Sequence, residues 1–127
     1  MRFRVVRSYR EDLCGLIRGL FPRAEPVFGE GHTYFVAERE GEAVGFAHLL
    51  EKGGKLILQG IGVEEGMRQR GVGSELLDCA VRHAESEGKH LYLKVKPGNP
   101  AVKLYASRGF TIKKIKGAYI LEKKLHN

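Results

Sequence analysis

Apolar residues recur along this chain with two periods. In several short runs they alternate with polar ones, as on a half-buried strand, and in three longer runs they return every three or four positions, as on a helix. Residues 2–7, RFRVVR, read as a strand, and residues 10–21, REDLCGLIRGLF, place Leu13, Leu16, Ile17, Leu20 and Phe21 on one helical stripe. Pro22 and Pro26 end that pattern, so residues 22–31 read as a loop. HTYFVAER (32–39) and AVGFAHLLE (43–51) read as strands joined by a tight turn. Gly53-Gly54 marks a second hairpin into KLILQGIGV (55–63). From Val72 to Glu87 the positions Val72, Leu76, Leu77, Ala80, Val81 and Ala84 predict a long helix, closed by Gly88 in a left-handed cap. HLYLKV (90–95) is a fifth strand, broken by Pro97-Gly98. Asn99 and Pro100 open a short helix that stops near Gly109. FTIKKI (110–115) and AYILEKKL (118–125) are two last strands around Lys116-Gly117. The order is β-α-β-β-β-α-β-α-β-β, a meander first. The helix between strands four and five allows that pair to run parallel.

Composition narrows this picture. A chain of 127 residues, 43% of them hydrophobic, suits one domain spanning 1–127 with a core of its own. No apolar run approaches the roughly 18 residues of a membrane span. The start, MRFRVVRSYRED, lacks the apolar stretch of a signal peptide, so a cytoplasmic protein is expected. Cys14 and Cys79 lie in helical segments and read as small core residues. The five histidines are scattered, and no cysteine–histidine spacing suggests a metal. The net charge of +7 favours an anionic partner, for which nucleic acid and a phosphorylated cofactor are both candidates.

The stretch GMRQRGVGSELLDCAVRHAE (66–85) discriminates between them. Two glycines one residue apart stand where a strand feeds a long helix. The first amides of a helix have no internal partners, and the helix dipole adds positive charge there. Gly71 and Gly73 remove side chains from that point, and Arg68 and Arg70 add full charges, which favours phosphate. The nucleotide folds that use such turns do not fit. No Lys-Ser/Thr pair follows the glycines, G-x-G-x-x-G would need a glycine at Leu76, and the preceding strands are antiparallel hairpins.

RQRGVG (68–73) resembles the acetyl-CoA pyrophosphate signature of the GNAT N-acetyltransferases, Arg/Gln-x-x-Gly-x-Gly/Ala. AVKLYASRGF (101–110) resembles that family's second conserved region. Their interval and the order of elements are also similar to the family's, from about the second strand to the end. The resemblance implies an α/β (α+β) fold with a mixed, mostly antiparallel central sheet, a parallel and splayed β4–β5 pair, and flanking helices. It implies acetyl-CoA as acyl donor, with the pantetheine arm along Ile61, Gly62 and Val63. The Ile61 amide would serve as the oxyanion donor. It implies that the amides of Gln69, Arg70, Gly71, Val72, Gly73 and Ser74 hold the pyrophosphate, with Arg68 closing the turn. Gln69 stands where many members have glycine, which is tolerable if its backbone angles are ordinary. Tyr105 matches the general acid; a phenol with a reference pKa of about 10 can protonate a departing thiolate.

Two departures bear on mechanism. Asn99 lies six residues before Tyr105, where many members have asparagine at seven, so it either touches the CoA arm or only caps the helix. No general base stands where relatives carry one, since the corresponding positions are Lys94 and Ile57. A water chain to Gln59, His48 or a carboxylate such as Glu30 would suffice. Tyr92, Lys94 and Lys96 share one strand face, and if that face lines the acceptor cleft it favours an acceptor carrying an acid or phosphate. The resemblance thus implies transfer of acetyl to a primary amine of a small molecule, peptide or protein. A CoA-binding sensor of the same fold without turnover is the alternative. A nucleic-acid interface is disfavoured, because Phe110 and Tyr119, the aromatics near the lysines at 113, 114, 116, 123 and 124, sit in packing patterns. The short loop PRAEPVFGEGH (22–32) suggests an open acceptor site. Oligomeric state stays open, although members of the family often pair through their last strands as homodimers.

Overall fold

In the computed structural model, residues 1–96, 98–115 and 119–123 are described, with 112–115 and 119 described as backbone only. Ten elements follow the expected order: β1 (Arg2–Val6), α1 (Glu11–Leu20), β2 (His32–Arg39), β3 (Glu42–Lys52), β4 (Lys55–Val63), α2 (Val72–Glu87), β5 (Leu91–Val95), α3 (Ala101–Ser107), β6 (Thr111–Ile115) and β7 (Tyr119–Lys123). The bounds of β2, β4 and α2 coincide with the sequence pattern. The others differ by one or two residues at the ends, where backbone angles decide. Arg10 and Phe21, for example, flank α1 with φ near −144° and −132°. A short 3-10 turn over Glu65–Met67 was not legible in the pattern. The turn expected at Lys116-Gly117 and the end of the last expected strand, Lys124-Leu125, lie outside the described residues.

The strands form one mixed sheet in the order β1-β2-β3-β4-β5-β7-β6, antiparallel except for the β4–β5 pair. α1 covers one face: Leu13 and Ile17 pack with Tyr34, Val36 and Phe46. α2 and α3 cover the other, where Leu76, Leu77, Ala80 and Tyr105 meet Leu49, Leu58, Leu93 and Leu121. Strand alternation supplies both cores, since neighbouring residues point to opposite faces. Arg108 of α3's end donates to Asp78 of α2 at 2.8 Å, tying the two helices together. Cys14 is buried as expected. Cys79 is only half-buried, because its position on α2 turns towards the helix edge where Arg82 lies.

Charge anchors the start of α1. Arg10 donates to Asp12 at 2.7 Å and also to Glu38 of β2, which receives Arg4 of β1 at 2.7 Å. Asp12 accepts the Ala43 amide at 2.8 Å, and Arg10 reaches the Gly41 carbonyl at 3.1 Å. Glu38 is buried to 6% exposure. Burial alone would raise its pKa, but hydrogen bonds from Arg10 and Arg4 hold it below the usual carboxylate value.

The sheet opens at its parallel seam. β4 and β5 pair only at Leu56–Leu91, Ile57–Tyr92 and Leu58–Leu93. At the next position, Gln59, the β3–β4 register slips by one residue, so that Leu49 faces Leu58 and His48 faces Gly60. A bulge bends the strand that carries it, and beyond this one β4 continues to Val63 without β5 as a partner. The Glu64 amide bonds back to Val44 at 2.8 Å. Alternation along the strand therefore directs the amides of Val63 and Ile61 away from β3, into the opening.

Candidate active site

Two clefts lie along the unpaired end of β4, and Phe21 at the end of α1 borders both. The larger, about 510 Å³, runs along Ile61, Gly62 and Val63, past Arg68 and Gly73, to Asn99, Ala101 and Leu104. The smaller, about 260 Å³, begins one residue earlier on β4, at Gln59 and Gly60. Its wall is completed by Tyr34, Phe46, His48 and, from the loop after α1, Glu25. Gly60 and Ile61 thus mark the boundary between the two clefts on β4.

The turn from β4 into α2 is shaped by two glycines with different reasons. Gly71 is the N-cap of α2 at φ 79°, ψ 5°, a left-handed conformation that favours glycine, and its carbonyl accepts the Glu75 amide at 3.0 Å. Gly73 has no such requirement. A Cβ there would meet only a Val63 methyl, at 3.7 Å, so neither backbone angle nor packing calls for glycine. The missing side chain leaves room in the cleft instead. No side chain caps α2, so the amides of Val72, Gly73 and Ser74 keep free hydrogens at the helix start. Val72 itself is 5% exposed, and its side chain belongs to the core. Arg68 donates from Nε to the Val63 carbonyl at 3.0 Å and closes the turn onto β4. Arg70 is exposed.

Gln69 departs from the condition set on it. Its φ is +61°, in the left-handed region, so a side chain occupies a backbone conformation where glycine is free of strain. Asn99 caps α3: its Oδ1 accepts the Ala101 amide at 2.9 Å, and it borders the larger cleft as well. Tyr105 is 7% exposed and packs edge-on to Phe110 with ring centroids 5.8 Å apart, while its neighbour Leu104 stands in the cleft wall. Burial raises its phenol above the usual value and keeps it protonated at neutral pH.

The acceptor side differs more from expectation. Tyr92, Lys94 and Lys96 border neither cleft: Tyr92 lies in the closed part of the seam, paired with Ile57, and Lys94 and Lys96 follow the last β4–β5 pair at Leu93. Glu30 is exposed and outside both, whereas Glu25, likewise exposed and not singled out by its local pattern, borders the smaller one. His48 and Gln59 both lie in its wall. Among the described residues no helix is long and apolar enough to cross a membrane.

A mixed sheet that splays at one parallel seam, with a glycine-bounded helix start beside the gap, defines an acyltransferase class of fold. Residues 6–110 match the model of the acetyltransferase (GNAT) family, and the chain belongs to that family. Among curated proteins none matches it by sequence. Solved structures share its architecture at low identity. The ribosomal-protein-S18-alanine N-acetyltransferase from Escherichia coli has a TM-score of 0.80 at 22% identity, over 99% of this chain and 97% of that one. An acetyltransferase from Bacillus subtilis in complex with CoA has 0.83 at 18%, over 98% and 99%. The PaiA N-acetyltransferase from Thermoplasma acidophilum in complex with coenzyme A has 0.76 at 17%, over 98% and 100%.

Proposed function

We propose that this protein transfers the acetyl group of acetyl-CoA to a primary amine by direct attack, with Tyr105 as general acid. The observation that carries the reading is the larger cleft. Outward-facing β4 amides and the free amides of α2 meet in one opening, and Gly73 leaves space in it that packing does not need. Its size, about 510 Å³, suits the arm of such a ligand. When bound, acetyl-CoA supplies an acetyl group already activated as a thioester. Ile61, Gly62 and Val63 would hold the pantetheine arm as an added strand. The amides from Gln69 to Ser74 would hold the pyrophosphate, with Arg68 and Arg70 adding positive charge. The Ile61 amide donates to the carbonyl oxygen as negative charge grows on it. Tyr105 gives its proton to the departing sulfur. The amine enters from the smaller cleft, which meets the larger one at Gly60 and Ile61.

The similar ribosomal-protein-S18-alanine N-acetyltransferase makes peptides natural acceptors to try beside small amines. The test is acetyl-CoA binding by calorimetry, followed by thiol release with amino acids, amino sugars, polyamines and short peptides with free N-termini. Binding with acceptor-dependent thiol release supports a transferase. Binding without release for any amine indicates a CoA sensor of the same fold.

A further inference from the structure

The smaller cleft contains an arrangement that the cofactor motifs do not touch. His48 on β3 stands in its wall, directly across the sheet from Gly60, the residue before the Ile61 amide. One nitrogen of its ring, Nε2, lies 2.9 Å from Nδ1 of His32. The rings stack at 5.1 Å between centroids. His32 is half-buried and is not part of the cleft wall. The pair therefore runs from the cleft towards the protein surface. With Nε2 committed to His32, Nδ1 is the His48 nitrogen left for the cleft.

We propose that His48 and His32 form a two-imidazole relay that takes the proton of the acceptor amine out of the smaller cleft and delivers it to solvent. The proposal rests on the transferase reading and supplies the base that the sequence left unassigned. With His48 carrying its hydrogen on Nε2, Nδ1 accepts a proton from the amine while the Nε2 hydrogen passes to His32 Nδ1. His32 then releases its own Nε2 proton to water. Once the cleft empties, water removes the Nδ1 proton of His48 and returns one to His32 Nε2. The single hydrogen between the rings then returns from His32 Nδ1 to His48 Nε2, and one proton has left the amine.

The surroundings suit a conduit rather than a resting base. Tyr34 stacks on His48 at 4.1 Å and 9°, fixing the ring, while its hydroxyl is spent on the Val27 carbonyl at 2.9 Å. His48 contacts His32 and Tyr34 of β2; the other polar side chains of its cleft are the neutral Gln59 from β4 and Glu25 from the loop, and α1 contributes Ile17. Burial, with the neighbouring His32, presses its pKa down to about 4, so the ring stays uncharged at neutral pH and passes one proton on as it takes another. No third metal-ligating side chain joins the pair among the described residues.

The experiment compares wild type, His48→Gln, His48→Ala and His32→Gln with the best acceptor of the amine panel, across pH. His48→Gln should leave acetyl-CoA affinity unchanged and lower kcat/KM for the amine about tenfold or more at pH 7, the low end for a proton-transfer group. The deficit should shrink above the pKa of the amine, where little proton removal is needed before attack. Added imidazole should restore part of the His48→Ala rate, and His32→Gln should show a smaller loss with the same pH dependence. Nitrogen-15 spectra of the wild-type rings should show that titrating one histidine moves the signals of the other. Rates within twofold of wild type, a deficit equal at all pH values and unmoved by imidazole, or independent ring titrations would each overturn the relay while leaving the transferase reading intact. Wild-type protein that binds acetyl-CoA and acetylates none of the amines overturns both.

Discussion

The two clefts beside β4 are built from different materials. The larger has apolar walls from Phe21 and Leu104, but its turn and helix start are set by backbone: outward amides of a strand that lost its partner, uncapped amides of a helix, and a glycine that keeps a side chain out. The smaller is made of side chains from β2, β3, α1 and a loop, assembled by packing. Backbone geometry can be specified by a short run of residues, because turn and helix start are local. A side-chain cleft can be re-lined at any of several positions without disturbing the fold. A constant donor and a variable acceptor fit that division of materials.

The largest expected effect is at Tyr105, which borders neither cleft itself but lies one residue from Leu104 in the wall of the larger. Tyr105→Phe keeps the ring and its contact with Phe110 and removes only the hydroxyl. We expect kcat to fall about 10²-fold, the ordinary contribution of a positioned general acid. Acetyl-CoA affinity and melting temperature should stay near wild type. A kcat within threefold of wild type in a steady-state assay would remove Tyr105 from the mechanism.

Next in size is the ion cluster that fixes α1, the helix whose far end, at Phe21, walls both clefts. Replacing Glu38 by Gln leaves Arg10 and Arg4 facing a neutral group. It should destabilise the protein by about 2 kcal/mol, below the usual range for breaking a buried pair because both arginines reach solvent. The pH dependence follows from the lowered pKa of Glu38. A depressed carboxylate contributes stability that is present above its unfolded pKa and is lost as pH falls through its folded value. Wild type should therefore lose stability in acid below the ordinary carboxylate range, and urea titrations should show that loss flattened in Glu38→Gln. Equal acid slopes for the two proteins would assign the cluster no such role.

The same contrast explains what the sequence could and could not reveal. The bounds of α2 and β4 and the glycine turn between them were legible, because periodicity, caps and glycine spacing are local signals. The His32–His48 contact was not. The two are 16 residues apart and meet only after the β2–β3 register sets Tyr34 opposite His48. Glu25 is one exposed carboxylate in a loop with no period, and nothing in PRAEPVFGE marks it as bordering a cleft. Alternation put Tyr92, Lys94 and Lys96 on a common face, but it could not say that β4 pairs with β5 only as far as Leu93, or that none of the three borders a cleft. The bulge at Gln59 is likewise set by pairing with β3, which no local pattern records.

Gly73 separates space kept for a ligand from space needed for folding. An added methyl would meet nothing closer than 3.7 Å, so Gly73→Ala should not clash. In the first turn of α2 alanine should raise stability, by up to about 1 kcal/mol from helix propensity. The same methyl projects into the cleft beside the free amides, and acetyl-CoA affinity should fall about tenfold, equivalent to 1.4 kcal/mol. Calorimetry and thermal melts on one sample would read both. Falling affinity with rising stability is the signature of a reserved space, whereas unchanged affinity would make Gly73 an accident of the turn.

The smallest effect is expected at Gln69, where the backbone cleft departs from the glycine found in many relatives. A non-glycine residue at φ +61° costs roughly 1 kcal/mol in steric strain, which glycine avoids. Glycine in turn gives the unfolded chain more freedom, which returns part of that gain. The two effects nearly balance, and Gln69→Gly should stabilise the fold by about 0.5 kcal/mol, at the limit of what paired urea titrations resolve. Ligand affinity tells more. The exposed glutamine offers the cleft only its backbone amide in the proposed site, and glycine presents the same amide at the same angles. Acetyl-CoA should then bind the variant as tightly as wild type. A loss of affinity would show that the strained residue holds the turn in its binding shape, and that at this one position a side chain has entered the half of the site otherwise built from backbone.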